Sequence, residues 1–272
     1  MSTLTPFSAI LAARTRDDNR VDFHVPDDWL QGRTSFGGLI SAMAAQAMRD
    51  VAGAAWPAEV TLRALQTSFV APVGAGAVSV VVKVLREGKS VRQVQADVVQ
   101  AGQTAAVMLG VYAADRESVL AEIHPARPAA AREAESIAPM PFIEGLMPAF
   151  LRHFDRRWAD GPLPYSGGQG SAISLHMRPI DPAPISGEML TVLLADMSPT
   201  PPVGTLKKLA PSSSVSWALE LRPVGAQDPQ GWWRADTEAL VVGGGYVNQS
   251  GRLWTPDGSL AALAYQVVTV FA

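Results

Sequence analysis

The chain has 272 residues, 48% of them hydrophobic, a formal net charge of −3 and no cysteine. That length allows one large domain or two small fused ones, with enough apolar residues for a sizeable core. The weak acidic balance argues against nucleic acid as a partner, and the missing cysteines exclude a disulfide framework, cysteine-ligated zinc and thiol catalysis.

His24, His124, His153 and His176 are scattered, and none stands at metal-ligand spacing with an acid, so neither a metal nor a cofactor is expected. No window reaches the ~18 apolar residues of a membrane span. The apolar stretch 6–13 is short and is followed at once by Arg14, Arg16, Asp17 and Asp18. A cytoplasmic chain without membrane attachment is the expectation.

In chain order, residues 5–14 read as a short amphipathic helix and residues 20–25 alternate like a strand. A loop from Pro26 to Thr34 follows. Phe36-Gly37-Gly38 then opens a run to Met48 that is rich in Ala and Met and almost free of charge. A helix apolar on nearly all sides is a buried helix. Next the period changes to two. Residues 61–70, 77–86, 90–100 and 104–113 read as four consecutive strands, punctuated by Ala71-Pro-Val-Gly74, Glu87-Gly-Lys89 and Gln100-Ala-Gly-Gln103. Residues 114–140, with little periodicity and much Ala, Glu, Arg and Pro, read as a linker.

The order then recurs. Ile173–Arg178 reads as a strand and 187–196 as a helix. Residues 212–222, 232–242, 244–254 and 260–271 read as strands, with Thr255-Pro-Asp-Gly258 as the sharpest turn. Gly243-Gly-Gly245 reads as a bulge or bend, His24 as a strand residue beside the core, and Trp232, Trp233 and Trp254 as core or interface aromatics. Phe69-Val-Ala-Pro72-Val matches Glu220-Leu-Arg-Pro223-Val, and the segment from Ala101 matches that from Asp257. Gln46 and Asp196 each lie nine residues after the glycine that opens their helix. We read two copies of one strand–helix–meander unit, fused. The first occupies residues 1–115, a linker 116–150, and the second 151–272; two unrelated α+β halves are the alternative.

Several short motifs carry a family resemblance. Gly32-Arg-Thr-Ser-Phe36-Gly37-Gly38 before a buried helix resembles the opening of the double-hotdog acyl-CoA thioesterases of the bacterial thioesterase II type. So does Val84-Leu-Arg86-Glu-Gly88-Lys89-Ser90. In the second half, Phe154-Asp-Arg-Arg157-Trp158, Ile180-Asp-Pro and Leu-Ala-Asp196 followed by Pro199 are similar to the thioesterase-like branch of that superfamily. The resemblance spans nearly the whole chain and is poorest over 114–150. It implies an α+β double hotdog: two antiparallel sheets, each wrapped around a central helix and joined into one.

It also implies a site. Thioesterase II enzymes hold and activate a water with an Asp on the second helix, a Thr or Ser on the following strand and a Gln on the last strand. Here these are Asp196, Ser213 and Gln266, with Ser212 and Ser214 open as alternatives for the hydroxyl. Compared between the copies, Asp196 faces Gln46, Ser213 faces about Leu62, and Gln266 faces about Gly110. Polar groups in one copy alone suggest one retained site, since an unpartnered buried polar group costs ~1–3 kcal/mol. Without the resemblance, Asp196 reads more simply as a cap on the turn at Ser198-Pro199, and Gln266 and the serines as ordinary strand and loop residues.

The oxyanion of a reacting thioester needs donors. Gly37, Gly38 or Leu39 at the N-terminus of the first helix are the candidates, offering free amides and no side chain in the way. Lys207 and Lys208 are the first candidates for the phosphates of CoA, and Arg86, Lys89 and Arg92 the second; a solvated surface explains either group equally well. The expected activity is hydrolysis of acyl-CoA to acid and CoA, in fatty acid metabolism, by a homodimer or homotetramer. A non-catalytic acyl-CoA sensor and a hotdog enoyl-CoA hydratase are the rivals. No His lies on or just after either central helix, which counts against the hydratase.

Overall fold

A computed structural model describes residues 4–225, 227–228 and 230–272. Helix α1 (Phe7–Ala12) buries Phe7 and Ile10. Strands β1 (Thr15–Asp17) and β2 (Arg20–Val25) and the small hairpin β3 (Leu30–Gln31) and β4 (Thr34–Ser35) lead to α2 (Gly37–Val51). In α2 the residues Leu39, Ile40, Ala42–Ala45, Ala47 and Met48 are all buried. Its many alanines let a sheet close on it from several sides. Four strands follow: β5 (Thr61–Phe69), β6 (Gly76–Glu87), β7 (Val91–Gln100) and β8 (Gln103–Ala113). The β7–β8 turn places Ala101 and Gly102 at positive φ, as a two-residue hairpin requires.

The second half repeats the scheme: β9 (Phe154–Asp160), β10 (Ala172–Pro179), α3 (Gly187–Ala195), β11 (Ser212–Leu221), β12 (Trp233–Gly243), β13 (Tyr246–Trp254) and β14 (Leu260–Val270). The Ser186 hydroxyl caps α3 by accepting the Met189 amide at 3.2 Å. Gly243-Gly244-Gly245 corrects the bulge expectation. Gly244 and Gly245, at φ +58° and +81°, form a two-residue hairpin turn, and the bulge in β12 falls instead between Ala239 and Val241. Trp233 and Trp254 are core residues, and His24 faces outward.

Twelve strands form one sheet in the order β1-β2-β6-β7-β8-β5-β11-β14-β13-β12-β10-β9. Read from either edge, the sequence of equivalent strands is the same, so a pseudo-twofold axis passes between β5 and β11. These two pair antiparallel, with Ser68 opposite Ser216 and Ala64 opposite Glu220. Even the irregularities are shared. A one-residue bulge skips Arg63 on β5 where it pairs with β8, and another skips Val215 on β11 where it pairs with β14. The sheet curls around both helices, which pack on each other beneath it. The α+β double hotdog implied by the motifs is the architecture observed.

Candidate active site

Because α2 and α3 are related by the pseudo-twofold, the C-terminus of α3 meets the N-terminus of α2. Asp196 is the residue that ends α3. Its Oδ2 lies where a side chain on Gly37 would be: a Cβ there would stand 2.7 Å from Oδ2 and 3.2 Å from the Phe69 ring. At Gly38 a Cβ would stand 2.6 Å from the Leu193 carbonyl oxygen, so glycine is what allows the two helices to approach this closely.

Two strands of the second copy supply the partners. Gln266 on β14 is buried, and its Nε2 donates to Asp196 Oδ1 at 2.9 Å and to Ser214 Oγ at 2.7 Å. A carboxylate only accepts, so the amide must present its nitrogen here and its oxygen on the other side. There Gln249 of β13, directly opposite in register, donates from Nε2 to Gln266 Oε1 at 2.7 Å. The chain Gln249–Gln266–(Asp196, Ser214) therefore fixes the amide in one orientation. Gln249 escaped the sequence reading; its signal was a second polar residue on an inward position of the neighbouring strand.

The hydroxyl in this network belongs to Ser214, which corrects the sequence expectation of Ser213. Trp217, Leu219 and Leu221 point inward, and strict alternation would bring Ser213 inward too. The bulge at Val215 inverts the parity, turning Ser214 to the interior and Ser213 to solvent, its hydroxyl on the Ser214 carbonyl at 3.4 Å. The matching bulge at Arg63 makes Leu62 the counterpart of Ser214.

Burial pushes the Asp196 carboxyl up to about 6, while the Gln266 amide and the backbone amide of Gly38 hold it down from a larger rise. The carboxylate thus sits against the amide-bearing, positive end of α2. Among the described residues, the basic candidates make no hydrogen bond to this cluster. The aliphatic stem of Lys207 packs over Gly167, and Lys208 is exposed in the loop that precedes β11. Arg86 is on β6, four strands from β11, in register through Gln93 and Val111 with Ala64, the end of β5 away from Phe69. It is not beside the Asp196 cluster.

Two copies of a sheet curled about a central helix, joined edge to edge around one polar cluster, define a double-hotdog protein. The chain matches the acyl-CoA thioesterase N-terminal domain over residues 25–113 and the acyl-CoA thioesterase C-terminal domain over residues 134–270. It belongs to the acyl-CoA thioesterase family.

Solved structures agree in fold. A hot dog fold protein of unknown function from Alicyclobacillus acidocaldarius superposes with a TM-score of 0.82 at 20% identity, covering 98% of both chains. The tesB protein of Mycobacterium avium subs paratuberculosis does so at 0.79 and 18% identity, again over 98% of both. An acyl-CoA thioesterase II, TesB2, from Mycobacterium marinum gives 0.74 and 17% over 98% of both. A search of curated proteins found no match.

Proposed function

We propose that this chain hydrolyses acyl-CoA thioesters to a free carboxylic acid and CoA, using a water activated by Asp196, Ser214 and Gln266. The observation that carries the reading is the double donation of one fixed amide to a carboxylate and a hydroxyl, opposite a helix N-terminus. With Oδ1 held by Gln266, Oδ2 is the oxygen that accepts a proton from water. Ser214 Oγ accepts from Gln266, which leaves its own hydrogen free to orient that water. A carboxyl near pH 6 is ionised at neutrality yet basic enough to take the proton.

The hydroxide adds to the thioester carbonyl carbon, and its charge collects on oxygen. The Gly37 amide, beside Asp196 Oδ2, supplies a donor there, while the Gly38 amide already bonds the carboxylate. Collapse breaks the C–S bond, and the thiolate leaves with the proton held by Asp196. No other group is needed, because a thiolate is a good leaving group.

The test is release of CoA thiol from a panel of acyl-CoAs. The wild type is expected to turn over and Asp196→Asn to lose activity by about 100-fold or more, the range of a general base. Tight acyl-CoA binding without turnover in the wild type would instead mark a sensor. Equal rates in the two proteins would remove Asp196 from the chemistry.

A further inference from the structure

A wide cleft lies away from Asp196, on the β9 edge of the sheet. It has a volume of about 430 Å³, within the range of small-molecule sites, and opens to solvent. Three arginines line it, Arg152, Arg156 and Arg178, together with the apolar Phe142, Leu151 and Phe154.

The charges do not cancel. Among the described residues Asp155 is the one carboxylate in the lining, and it is shared between Arg178, at 3.2 Å, and Arg157 outside the cleft. Arg178 also lies over the Trp232 ring at 4.2 Å, and Arg152 over the Phe142 ring at 5.8 Å. Arg156 is the telling residue. It projects to the inner side of β9 with Phe154 and Trp158 and is only 5% exposed, and its Nε has no hydrogen-bond partner among the described residues. Burying a guanidinium without a bonded acceptor is costly. Here the buried and unpaired atom is Nε, in the wall of a cleft that an acceptor can enter from outside.

We propose that this cleft binds a phosphate group carried on an apolar or aromatic body. A carboxylate is planar and satisfies one guanidinium fork, whereas a phosphate dianion offers three oxygens, enough for more than one of the arginines that line the cleft. The aromatic and aliphatic wall beside them takes the body of the ligand. Two sources share this chemistry: the nucleotide 3′-phosphate of the acyl-CoA itself, which rests on the hydrolysis reading above, and a separate phosphorylated metabolite, which does not.

Thermal unfolding separates binding from turnover. Inorganic phosphate and adenosine 3′,5′-bisphosphate are the probes, each against wild type, Arg156→Met and Arg152→Gln. At ten times its Kd a ligand should raise the wild-type Tm by about 3 °C. The two substituted proteins should lose that rise, and subtracting their response removes the general salting effect of phosphate. Arg156→Met replaces an unpartnered buried cation with an apolar chain, so it should fold; Arg152→Gln, half-buried, is the independent check. KM then identifies the source. If the nucleotide end of the substrate docks here, both substitutions raise KM for acyl-CoA about tenfold, leave kcat unchanged, and match wild type on acyl-3′-dephospho-CoA. If a separate metabolite docks here, the Tm response is lost on substitution while KM is the same as wild type. Equal Tm responses of wild type, Arg156→Met and Arg152→Gln to both probes overturn the proposal, whatever the thioesterase assay gives.

Discussion

At the scale of single residues, the carboxyl of Asp196 connects activity with stability. Its value of about 6 lies above the ordinary 3.8 of an aspartate. The folded state therefore holds its proton more tightly than the unfolded chain does. Stability from this group is fullest below pH 4, falls as pH rises from about 4 to about 6, and stays low above that. Asp196→Asn removes the penalty, so its Tm should exceed that of wild type at pH 7 and approach it at pH 4. The shift sets an upper bound of about 3 kcal/mol on the gain. The rate has the opposite dependence: kcat/KM should climb with pH through about 6, as the base becomes ionised. A Tm difference independent of pH would contradict the assignment. Ser214→Ala should lower kcat about tenfold, while Ser213→Ala leaves it unchanged. Gln249→Leu leaves the Gln266 oxygen buried without its donor and lets the amide turn. Asp196 then loses a bond that holds its pKa down, so the acid limb of the rate profile should move to higher pH. A merely structural role for Gln249 would lower Tm and leave that limb in place.

At the scale of elements, the pseudo-twofold predicts a second cluster around the N-terminus of α3, and side chains have filled it. Where α2 has Gly38, packed under the Leu193 carbonyl, α3 has Glu188 at the matching position. Its carboxylate accepts from Arg49 Nε at 2.8 Å, from Arg49 Nη2 at 2.5 Å and from the Leu62 amide at 2.7 Å. Tyr112 lies beneath the Arg49 guanidinium at 4.8 Å, and the counterpart of Asp196, Gln46, donates away to Asp50 at 2.8 Å. What could have been a site is an interhelical clamp. Glu188→Ala should cost roughly 2–3 kcal/mol, or about 5–10 °C in Tm, by stranding Arg49, with kcat unchanged. Arg49→Met with Glu188→Leu should recover much of the loss, because no lone charge is then left behind.

The same comparison explains what could be read from the sequence. Both central helices announced themselves by long apolar runs, and eight meander strands by alternation and turn residues. Asp196 and Gln266 stood out as polar positions in one copy only. The choice among the three serines failed because a bulge leaves no mark in a run of identical residues. Strand β9 carries Asp155, Arg156 and Arg157 in succession, so its inward Arg156 breaks the apolar alternation that signals a strand. Gln249 became significant only once β13 was seen to lie beside β14.

At the scale of the whole molecule, the cluster is assembled across the junction of the two copies. Asp196, Ser214 and Gln266 come from the second, and Gly37, Gly38 and Phe69 from the first. Contacts that hold the copies together are the β5–β11 ladder, the packing of α2 on α3, the Arg49–Glu188 pair and the stacking of Phe36 on Phe150 at 4.1 Å. The covalent link adds little between residues 117 and 124, where Val119, Leu120 and Ile123 are at least 80% exposed and no helix or strand forms. After that stretch the chain is docked on the second copy: Arg234 donates to the Pro128 carbonyl at 2.8 Å, and Arg132 to the Trp158 carbonyl at 2.7 Å. Cleavage at Glu117 or Glu122 by a glutamate-specific protease should therefore give two fragments that co-elute and keep the thioesterase activity of the intact chain. Separated in denaturant, neither fragment should turn over substrate, because the trio lies on the second and the helix N-terminus it faces lies on the first. Mixing and refolding them should restore the rate. Fragments that separate without denaturant would show that the linker, rather than the paired strands and helices, maintains the site.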